Sequence, residues 1–341
     1  MNKYALIDTA NLYFRMRHMA SKNTDPEEKV AYALHLVFAS VNKIVKKFGP
    51  DIHVVWLLEG RSWRKSFYEP YKKNRVVNDQ DITEAEREES KLFWDTFNSL
   101  IEYLSNKTNC SVLREPNAEA DDLIARWIHL HPTDTNYIIS SDTDYLQLIS
   151  KNVFQYNGIT DQYITLDGYH DHKYNLIKDK KTKEAKTLGD PQFILFEKCM
   201  RGDGTDNVFS AYPGVRTKGS KNKVGLQEAY ADRDKQGFNW NNMMLQRWTD
   251  HNSVEHRVKD DYQRNVTLID LTAQPQEVKD ACDKVIIEGV RTDRVSGVGL
   301  HFLKFTGKYN LVKLTEQSDA FVRWLNIPYT GELRGISGEE K

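Results

Sequence analysis

Three short apolar runs, each stopping at or just before a carboxylate, constrain this chain more than any bulk property. Tyr4-Ala5-Leu6-Ile7 ends at Asp8, the run His53 to Leu58 ends at Glu59, and Tyr137-Ile138-Ile139 passes through Ser140-Ser141 to Asp142. Ser111-Val112-Leu113 is a weaker run of the same kind. Runs this short, rich in β-branched and aromatic residues, read as buried strands. Helical patterns occupy the intervals, from about Pro26 to Phe48, Glu84 to Leu104 and Glu119 to Leu130. Strands alternating with helices predict an α/β fold with a mostly parallel central sheet flanked by helices.

In such a sheet, ligands sit beyond the carboxyl ends of the strands, so Asp8, Glu59 and Asp142 are expected to converge on one edge. Glu119, Asp121 and Asp122 open a helix, Asp144 follows Asp142 by two residues, and Asp203 and Asp206 lie in Arg201-Gly202-Asp203-Gly204-Thr205-Asp206-Asn207. Taken singly, such acids are often helix caps or partners of a helix dipole, and Gly-Asp-Gly is also a turn. Nine carboxylates gathered at one edge repel one another unless a cation neutralises them. Donor sets made only of oxygen select hard ions such as Mg²⁺ or Mn²⁺.

Composition adds exclusions. The 341 residues are 39% hydrophobic and 28% charged, enough for a sizeable core, with 48 Lys+Arg against 49 Asp+Glu and a net charge of -1. A balance this close gives no global attraction to nucleic acid, so phosphate binding has to come from local segregation of charge. Cys110, Cys199 and Cys282 stand far apart without CxxC spacing, which argues against a disulfide framework or a zinc site and for a reducing compartment. His129/His131 and His170/His172 are i, i+2 pairs with no third ligand nearby and read as surface residues. No apolar run approaches the roughly 18 residues of a membrane helix, so no membrane association and a cytoplasmic location are expected.

The segregated positive charge falls in three segments. Arg61 to Arg75 carries six cations and one acid, interleaved with the aromatics Trp63, Phe67, Tyr68 and Tyr71, directly after the acidic strand end at Glu59. Cations there can neutralise phosphates while aromatic faces stack on unpaired bases. Lys178 to Lys186 mixes five lysines with Asp179 and Glu184 and reads as a solvated loop. Arg216, Lys218, Lys221 and Lys223 follow Pro213-Gly214-Val215 and precede a predicted helix, a turn suited to duplex phosphate.

These residues resemble the flap endonuclease superfamily, and within it the bacteriophage 5′-nucleases. Asp8-Thr9-Ala10-Asn11-Leu12-Tyr13-Phe14-Arg15 is similar to the family's first metal motif, and Glu119-Ala120-Asp121-Asp122 and Ser141-Asp142-Thr143-Asp144 to its central acidic motifs. Gly202 to Asn207 resembles the motif leading into the family's helix-turn-helix DNA element, and Tyr71-Lys72-Lys73-Asn74-Arg75 the foot of its helical arch. Asn265 to Leu271 is similar to a late core segment of phage members, so the resemblance spans roughly Lys3 to Leu271. Two departures stand out: most relatives have aspartate where this chain has Glu59, and the turn Pro213 to Lys223 is more basic and lacks their compact Gly-rich hairpin.

The resemblance implies a PIN-like nuclease core over 1–190 including an arch at about 60–105. It further implies a helical DNA-binding region over 191–341, with a helix-turn-helix element at about 200–236 and C-terminal helices. The implied activity is that of a structure-specific 5′-to-3′ exonuclease and flap endonuclease, cutting phosphodiesters near the 5′ end of branched or duplex DNA or RNA-DNA by a two-metal mechanism. Asp8, Glu59, Glu119 and Asp121 are expected at a first Mg²⁺ site, and Asp142, Asp144 and Asp206 at a second. Asp121 is expected to bridge the two, with Asp122 and Asp203 in outer roles and Mn²⁺ as a substitute ion.

Lys72, Arg75 and Arg15 are expected to stabilise the attacked phosphate, and Arg61, Arg64, Lys65, Tyr71, Lys73, Arg216, Lys218, Lys221 and Lys223 to bind DNA. A monomer in the host cytoplasm, if phage-encoded, is the expected state. Replication proteins such as a single-strand binding protein are implied partners, for which no motif stands in the chain. The competing readings are a metal-dependent PIN-type ribonuclease, which has no use for the basic segments, and a non-catalytic branched-DNA binder, which has no use for all nine acids.

Overall fold

The apolar runs become strands because both of their faces are covered. β1 (Lys3–Asp8), β2 (His53–Leu58), β3 (Ser111–Arg114) and β4 (Thr135–Ile139) alternate with α1 (Thr9–Arg17), α2 (Pro26–Phe48), α3 (Arg64–Phe67), α4 (Glu84–Lys107) and α5 (Ala120–Leu130). Every residue of β2 is buried. The sheet continues through β5 (Val153–Asn157), β6 (Gln162–Thr165) and β7 (Gly168–His170) in the order β3-β2-β1-β4-β5-β6-β7. The first five strands of that order are parallel, and β6 and β7 turn antiparallel. β1 is flanked by β2 and β4, with Ile7 opposite both Trp56 and Ile139, so the strand order reverses there and opens a crevice at the carboxyl ends. This computed structural model describes residues 1–17, 25–49, 51–75, 83–221 and 223–333. Residues 76–82 of the expected arch and Asn222 of the basic turn lie outside the described residues.

Local signals fix the helices that frame the crevice. Asp25 caps α2 by accepting from Glu27 N–H, with Pro26 in the first turn, and Thr83 and Glu86 form a reciprocal capping box on α4. The apolar stripe of α2, including Leu34, Phe38 and Val41, packs against one face of the sheet. On the other face Leu6, Val55 and Leu57 pack against Leu123, Ile124 and Trp127 of α5.

The second helical layer begins with α6 (Pro191–Arg201), α7 (Leu226–Ala231) and α8 (Phe238–Met244), and after the hairpin β8 (Arg247–Thr249) and β9 (Glu255–Arg257) continues with α9 (Val258–Ile269). Phe196, Met200, Leu226, Met243 and Val258 form its own small core. α10 (Gln276–Gly289), α11 (Val298–Lys308), α12 (Val312–Glu316) and α13 (Ser318–Leu325) then return to the sheet. Val278, Cys282 and Ile286 join the α5 face, while Phe302, Phe305 and Trp324 surround Phe38 on the α2 face. The C-terminal helices, expected from sequence in the DNA-binding region, thus pack on both faces of the sheet, where their apolar stripes complete its two layers.

Two histidines also depart from the expectation of surface residues. His131 is buried, stacked on Trp127 and bonded through Nε2 to the Tyr329 hydroxyl at 2.8 Å, and His170 is buried against Thr165. Both satisfy their ring nitrogens inside the protein, which the i, i+2 spacing does not reveal. His129 and His172 are exposed. The three cysteines are free and buried. Among the described residues no helix is long and apolar enough to cross a membrane.

Candidate active site

The crevice gathers the carboxylates in two groups, each offering three oxygens within 4.8 Å of one another: Glu119, Asp121 and Asp122, and Asp144, Asp203 and Asp206. The first group opens α5, with Glu119 at its N-cap. In the second, Asp144 belongs to a 3₁₀ turn at Thr143–Leu148 after β4, and Asp203 and Asp206 to the loop after α6. Gly202 allows that loop its path: its φ is +78°, and a Cβ there would meet Val208 O at 2.4 Å. Asp203 Oδ1 accepts from Thr205 N–H at 2.8 Å and Asp206 N–H at 3.3 Å, folding the Gly-Asp-Gly segment back so that its acids face Asp144.

Asp8, Glu59 and Asp142 flank these groups. Asp8 is buried at the end of β1; Oδ1 accepts from Asn11 N–H, and Oδ2 accepts from the Ser140 hydroxyl at 3.0 Å and the Tyr145 hydroxyl at 3.1 Å. Burial pushes its carboxyl up to about 6 against those hydrogen bonds. Glu59 reaches solvent at the rim, and Oε2 accepts from Ala120 N–H at 3.2 Å. Its carboxyl is nonetheless pushed up to about 7, by the surrounding protein first and then by Asp8 and Glu119. Asp142 is exposed and caps the 3₁₀ turn through Asp144 N–H.

Tyr71 joins the two groups, its hydroxyl lying 2.9 Å from Glu119 Oε2 and 2.8 Å from Asp206 Oδ2. A phenol has one proton to give, so two carboxylates at that distance leave one oxygen pair facing without a donor. Positive charge enters from both sides. Lys72 pairs with Glu119 and lies 3.6 Å from Asp206, Arg75 Nη2 donates to Asp206 Oδ1 at 2.6 Å, and Lys198 of α6 bridges Asp144 and Asp203, 2.8 Å from the latter. The space enclosed by Tyr71, Asp121, Asp144, Asp203 and Asp206 is only about 10 Å³, barely one water. Burial works against the charge on Lys72, but Glu119 and Asp206 outweigh it and raise its pKa. For Glu119 burial is likewise overcome, by Lys72 and then Arg64, and its pKa is lowered.

The residues present fit divalent cations. The donors are all oxygen, and Asp121 Oδ1 is a buried carboxylate oxygen without a hydrogen-bond partner among the described residues. Burial, with Asp122 and Glu119, raises the Asp121 pKa despite Arg64. Eight carboxylates remain once Asp122 is paired with Arg64, against Lys72, Arg75 and Lys198, an excess that invites further cations.

Several sequence expectations change here. Arg64, expected on the DNA surface, is 1% exposed. Nη1 and Nη2 grip both oxygens of Asp122, Nη1 also reaches Glu119, and Nε donates to Leu268 C=O. A guanidinium so enclosed cannot meet a phosphate, and Asp122, with both oxygens taken, is its structural partner. Tyr71 is likewise buried inside the acid site instead of lining a DNA surface. Asp203 joins the second group directly, where an outer role was expected. Arg15 makes no ion pair among the described residues; its guanidinium lies beside Gly158 and Tyr156, and burial lowers its pKa. Arg61, Lys65, Lys73, Arg216, Lys218, Lys221 and Lys223 are exposed, Lys73 pairing with Glu69. Lys198, Ser140 and Tyr145 were missed: a lysine inside a helix and a serine after a strand carry no signal until the loop folds.

A family model for the 5′-3′ exonuclease N-terminal resolvase-like domain matches residues 3–184. The chain belongs to the 5′-3′ exonuclease family. Among relatives of the family, it is 31% identical to a 5′-3′ exonuclease of Mycoplasmopsis pulmonis over 64% of this chain and 65% of that protein. It is 28% identical to the flap endonuclease Xni of Shewanella loihica over 70% of this chain and 83% of that one. The chain thus spans just under two thirds of the first relative's length. Its fold is similar to that of the bacteriophage T5 D15 protein co-crystallised with metal ions, with a TM-score of 0.56 at 20% identity over 84% of this chain and 99% of that one. A T5 5′-exonuclease with divalent zinc ions bound gives a TM-score of 0.55 at 21% identity over 85% and 99%. The matched residues include Asp8, Glu59, Glu119, Asp121, Asp122, Asp142 and Asp144, while Asp203 and Asp206 lie beyond them.

Proposed function

We propose that this protein is a structure-specific 5′-nuclease that hydrolyses phosphodiesters near the 5′ end of flapped, nicked or gapped DNA, with RNA-DNA hybrid also a substrate. The observation that carries the reading is the pair of three-carboxylate groups joined by Tyr71, with Lys72 and Arg75 lodged on the same acids. The named activities of the Mycoplasmopsis and Shewanella relatives support it, as does a T5 flap endonuclease structure described as a complex with DNA and metal ions.

Glu119 and Asp121, with Asp8 and Glu59 beside them, would hold one Mg²⁺, and Asp144, Asp203 and Asp206, with Asp142, a second; Mn²⁺ suits the same donors. Bound divalent ions supply Lewis-acid stabilisation of the phosphoryl oxygens and acidify the attacking water. The chain's own residues do the rest. Lys72 and Arg75, which rest on Glu119 and Asp206, would turn their charge to the non-bridging oxygens, where it counts most as negative charge develops. With its pKa raised, Lys72 stays protonated and is an electrostatic stabiliser, not a base. The Arg216 to Lys223 turn holds duplex backbone, together with Arg61, Lys65 and Lys73. The protein acts as a monomer, with a single-strand binding protein as the expected partner at the fork.

The test is cleavage of a 5′-labelled flap with Mg²⁺ and with EDTA. Wild type should cut only with the metal, and Asp142→Asn should lose at least ~10²-fold in rate, since a catalytic ion supplies several kcal/mol. Metal-independent cutting, or a fully active Asp142→Asn, would sink the two-metal reading.

A further inference from the structure

The segment Lys178 to Lys186, expected from sequence as a solvated loop, is a folded hairpin laid against β7, the last strand of the sheet. Ile177 N–H donates to Tyr169 C=O of β7 at 2.8 Å, Lys186 N–H to Ile177 C=O at 2.7 Å, and Tyr169 N–H to Lys186 C=O at 3.0 Å. Gly168 admits the returning arm: its φ is +135°, and a Cβ there would meet Lys186 O at 2.4 Å. We propose that this hairpin is a second phosphate-binding element, gripping the backbone of the same duplex that the Arg216 to Lys223 turn holds. The inference rests on the nuclease reading and adds to it a DNA-binding site outside the segments already described.

The hairpin exposes Lys178, Lys180, Lys181, Lys183 and Lys186 against two acids, Asp179 and Glu184. Asp179 is turned to the backbone, where Oδ1 accepts from Lys181 N–H at 2.8 Å and Thr182 N–H at 2.9 Å, and Lys183 N–H closes the turn on Asp179 C=O at 3.0 Å. Lys183 takes the left-handed conformation, φ +63°, that Gly or Asn adopts more readily. The tip is therefore a defined turn that crowds Lys180, Lys181 and Lys183 together. Lys186 lies over the Tyr169 ring at 3.7 Å, and among the described residues none of the five lysines forms a salt bridge. At the acid groups, by contrast, Lys72 and Lys198 rest on carboxylates. Like charges held close without partners repel one another, and a polyanion relieves that repulsion.

The base of the hairpin is fixed to the elements that carry the basic turn. Leu188 is buried with Leu146 and Ile149 at the 3₁₀ turn that holds Asp144, and Ile194 of α6 packs against them. Asp190 caps α6 and accepts from the Tyr230 hydroxyl of α7, the helix that follows the basic turn. At the far end of α6, Arg201 donates to Val215 C=O and the Thr217 hydroxyl, where the basic turn begins. Hairpin and basic turn are thus mounted at opposite ends of one helix, which at 11 residues is about 16 Å long. From Leu188 to Lys181 the chain spans at most about 25 Å. Both lysine groups therefore fall within about 40 Å of each other, comparable to the roughly 34 Å of one duplex turn, so one duplex arm can meet both.

The test combines Lys180→Gln, Lys181→Gln and Lys183→Asn, asparagine being chosen for the left-handed position. Affinity for a flapped duplex, two helical turns long on each side of the nick, is measured without divalent metal from about 50 to 200 mM salt. The triple variant should lower the slope of log affinity against log salt by about 0.9 for each phosphate left without its lysine, and weaken binding about 8-fold per contact at about 0.1 M salt. Arginine at all three positions keeps the charge and should keep wild-type affinity. Unchanged slope and affinity in the triple variant, with Lys218→Ala still weakened, overturns the hairpin proposal and leaves the nuclease reading in place. A loss shared by the arginine variant would trace to a disturbed turn instead of to charge, and overturns it too. Binding does not depend on cutting: if wild type cleaves no flapped substrate with Mg²⁺, the nuclease reading fails while the hairpin is still judged by its salt slope.

Discussion

Arg64 Nη2 donates to Asp122 Oδ1 at 2.8 Å and Arg64 Nη1 to Asp122 Oδ2 at 2.9 Å, two parallel bonds between side chains that are 1% and 0% exposed. The pair ties the one-turn helix α3 to the first turn of α5, where the first acid group begins. Because both charges are out of water, removing one leaves the other buried and unpaired, which costs more than the pair itself contributes.

Arg64→Ala should therefore destabilise the protein by about 3–5 kcal/mol, read as a shift of the urea unfolding midpoint. Adding Asp122→Leu should recover part of that loss by removing the stranded carboxylate. A double variant no more stable than Arg64→Ala would mean that the guanidinium matters through Glu119 or Leu268 instead.

The arch and the basic turn should separate chemistry from docking. Lys72→Ala and Arg75→Ala are expected to lower the single-turnover rate by about 10²-fold or more while changing binding little, since their hold on the phosphate strengthens as charge develops. Lys218→Ala and Lys221→Ala should weaken binding and reduce the slope of log affinity against log salt by about 0.9 for each phosphate left without its lysine. Measuring rate and affinity for all four decides the matter; equal loss of binding alone at every position would make the arch a passive phosphate clamp.

Much of this architecture was legible because it follows from pattern. Alternating apolar runs and helices predict the sheet, and the acids after the runs, Asp8, Glu59 and Asp142, fall at one edge of it beside the two carboxylate groups. What stayed hidden depends on side chains that meet across long stretches of sequence. Arg64 looks like its exposed neighbours Arg61 and Lys65 until Asp122, 58 residues away, closes on it. Lys198 meets Asp144 across 54 residues. The amphipathic C-terminal helices announce an apolar face, but not that Phe302 and Trp324 would pack it on Phe38 rather than in a separate DNA-binding layer.

Glu59 is one of the two departures expected from the resemblance, and among the described residues its Oε2 accepts from Ala120 N–H at the start of α5. If Glu59 helps hold the first ion, Glu59→Gln should raise the Mg²⁺ concentration for half-maximal cleavage by about tenfold, the lower end of what loss of a metal-supporting group brings. Glu59→Asp should be impaired too, its arm being one methylene short. A metal titration of both variants is the check. A wild-type titration for Glu59→Gln would leave Glu59 as a cap on α5 and rebuild the site from Asp8, Glu119 and Asp121.

The final expectation concerns the opposite edge of the sheet, where His53 holds the segment that follows α13. His53 is buried; its Nδ1–H donates to Ile327 C=O at 2.9 Å, and its Nε2 accepts from the Ser111 hydroxyl at 2.9 Å, whose oxygen in turn accepts from Arg291 N–H. This network suits the neutral ring. Burial lowers the His53 pKa from 6.5 to about 4, with the Ile327 carbonyl opposing and His131 assisting. Between those values the unfolded chain binds a proton that the fold refuses, so the contribution of His53 is complete above pH 6.5 and is lost as pH falls towards 4. The loss is of order 3 kcal/mol in all, at about 1.4 kcal/mol per pH unit. Urea midpoints at pH 7 and pH 5 should fall less for His53→Asn than for wild type, since the variant has no imidazole to charge. His131, whose pKa burial also lowers, would keep part of the decline in both, and equal declines would assign all of it there and not to His53.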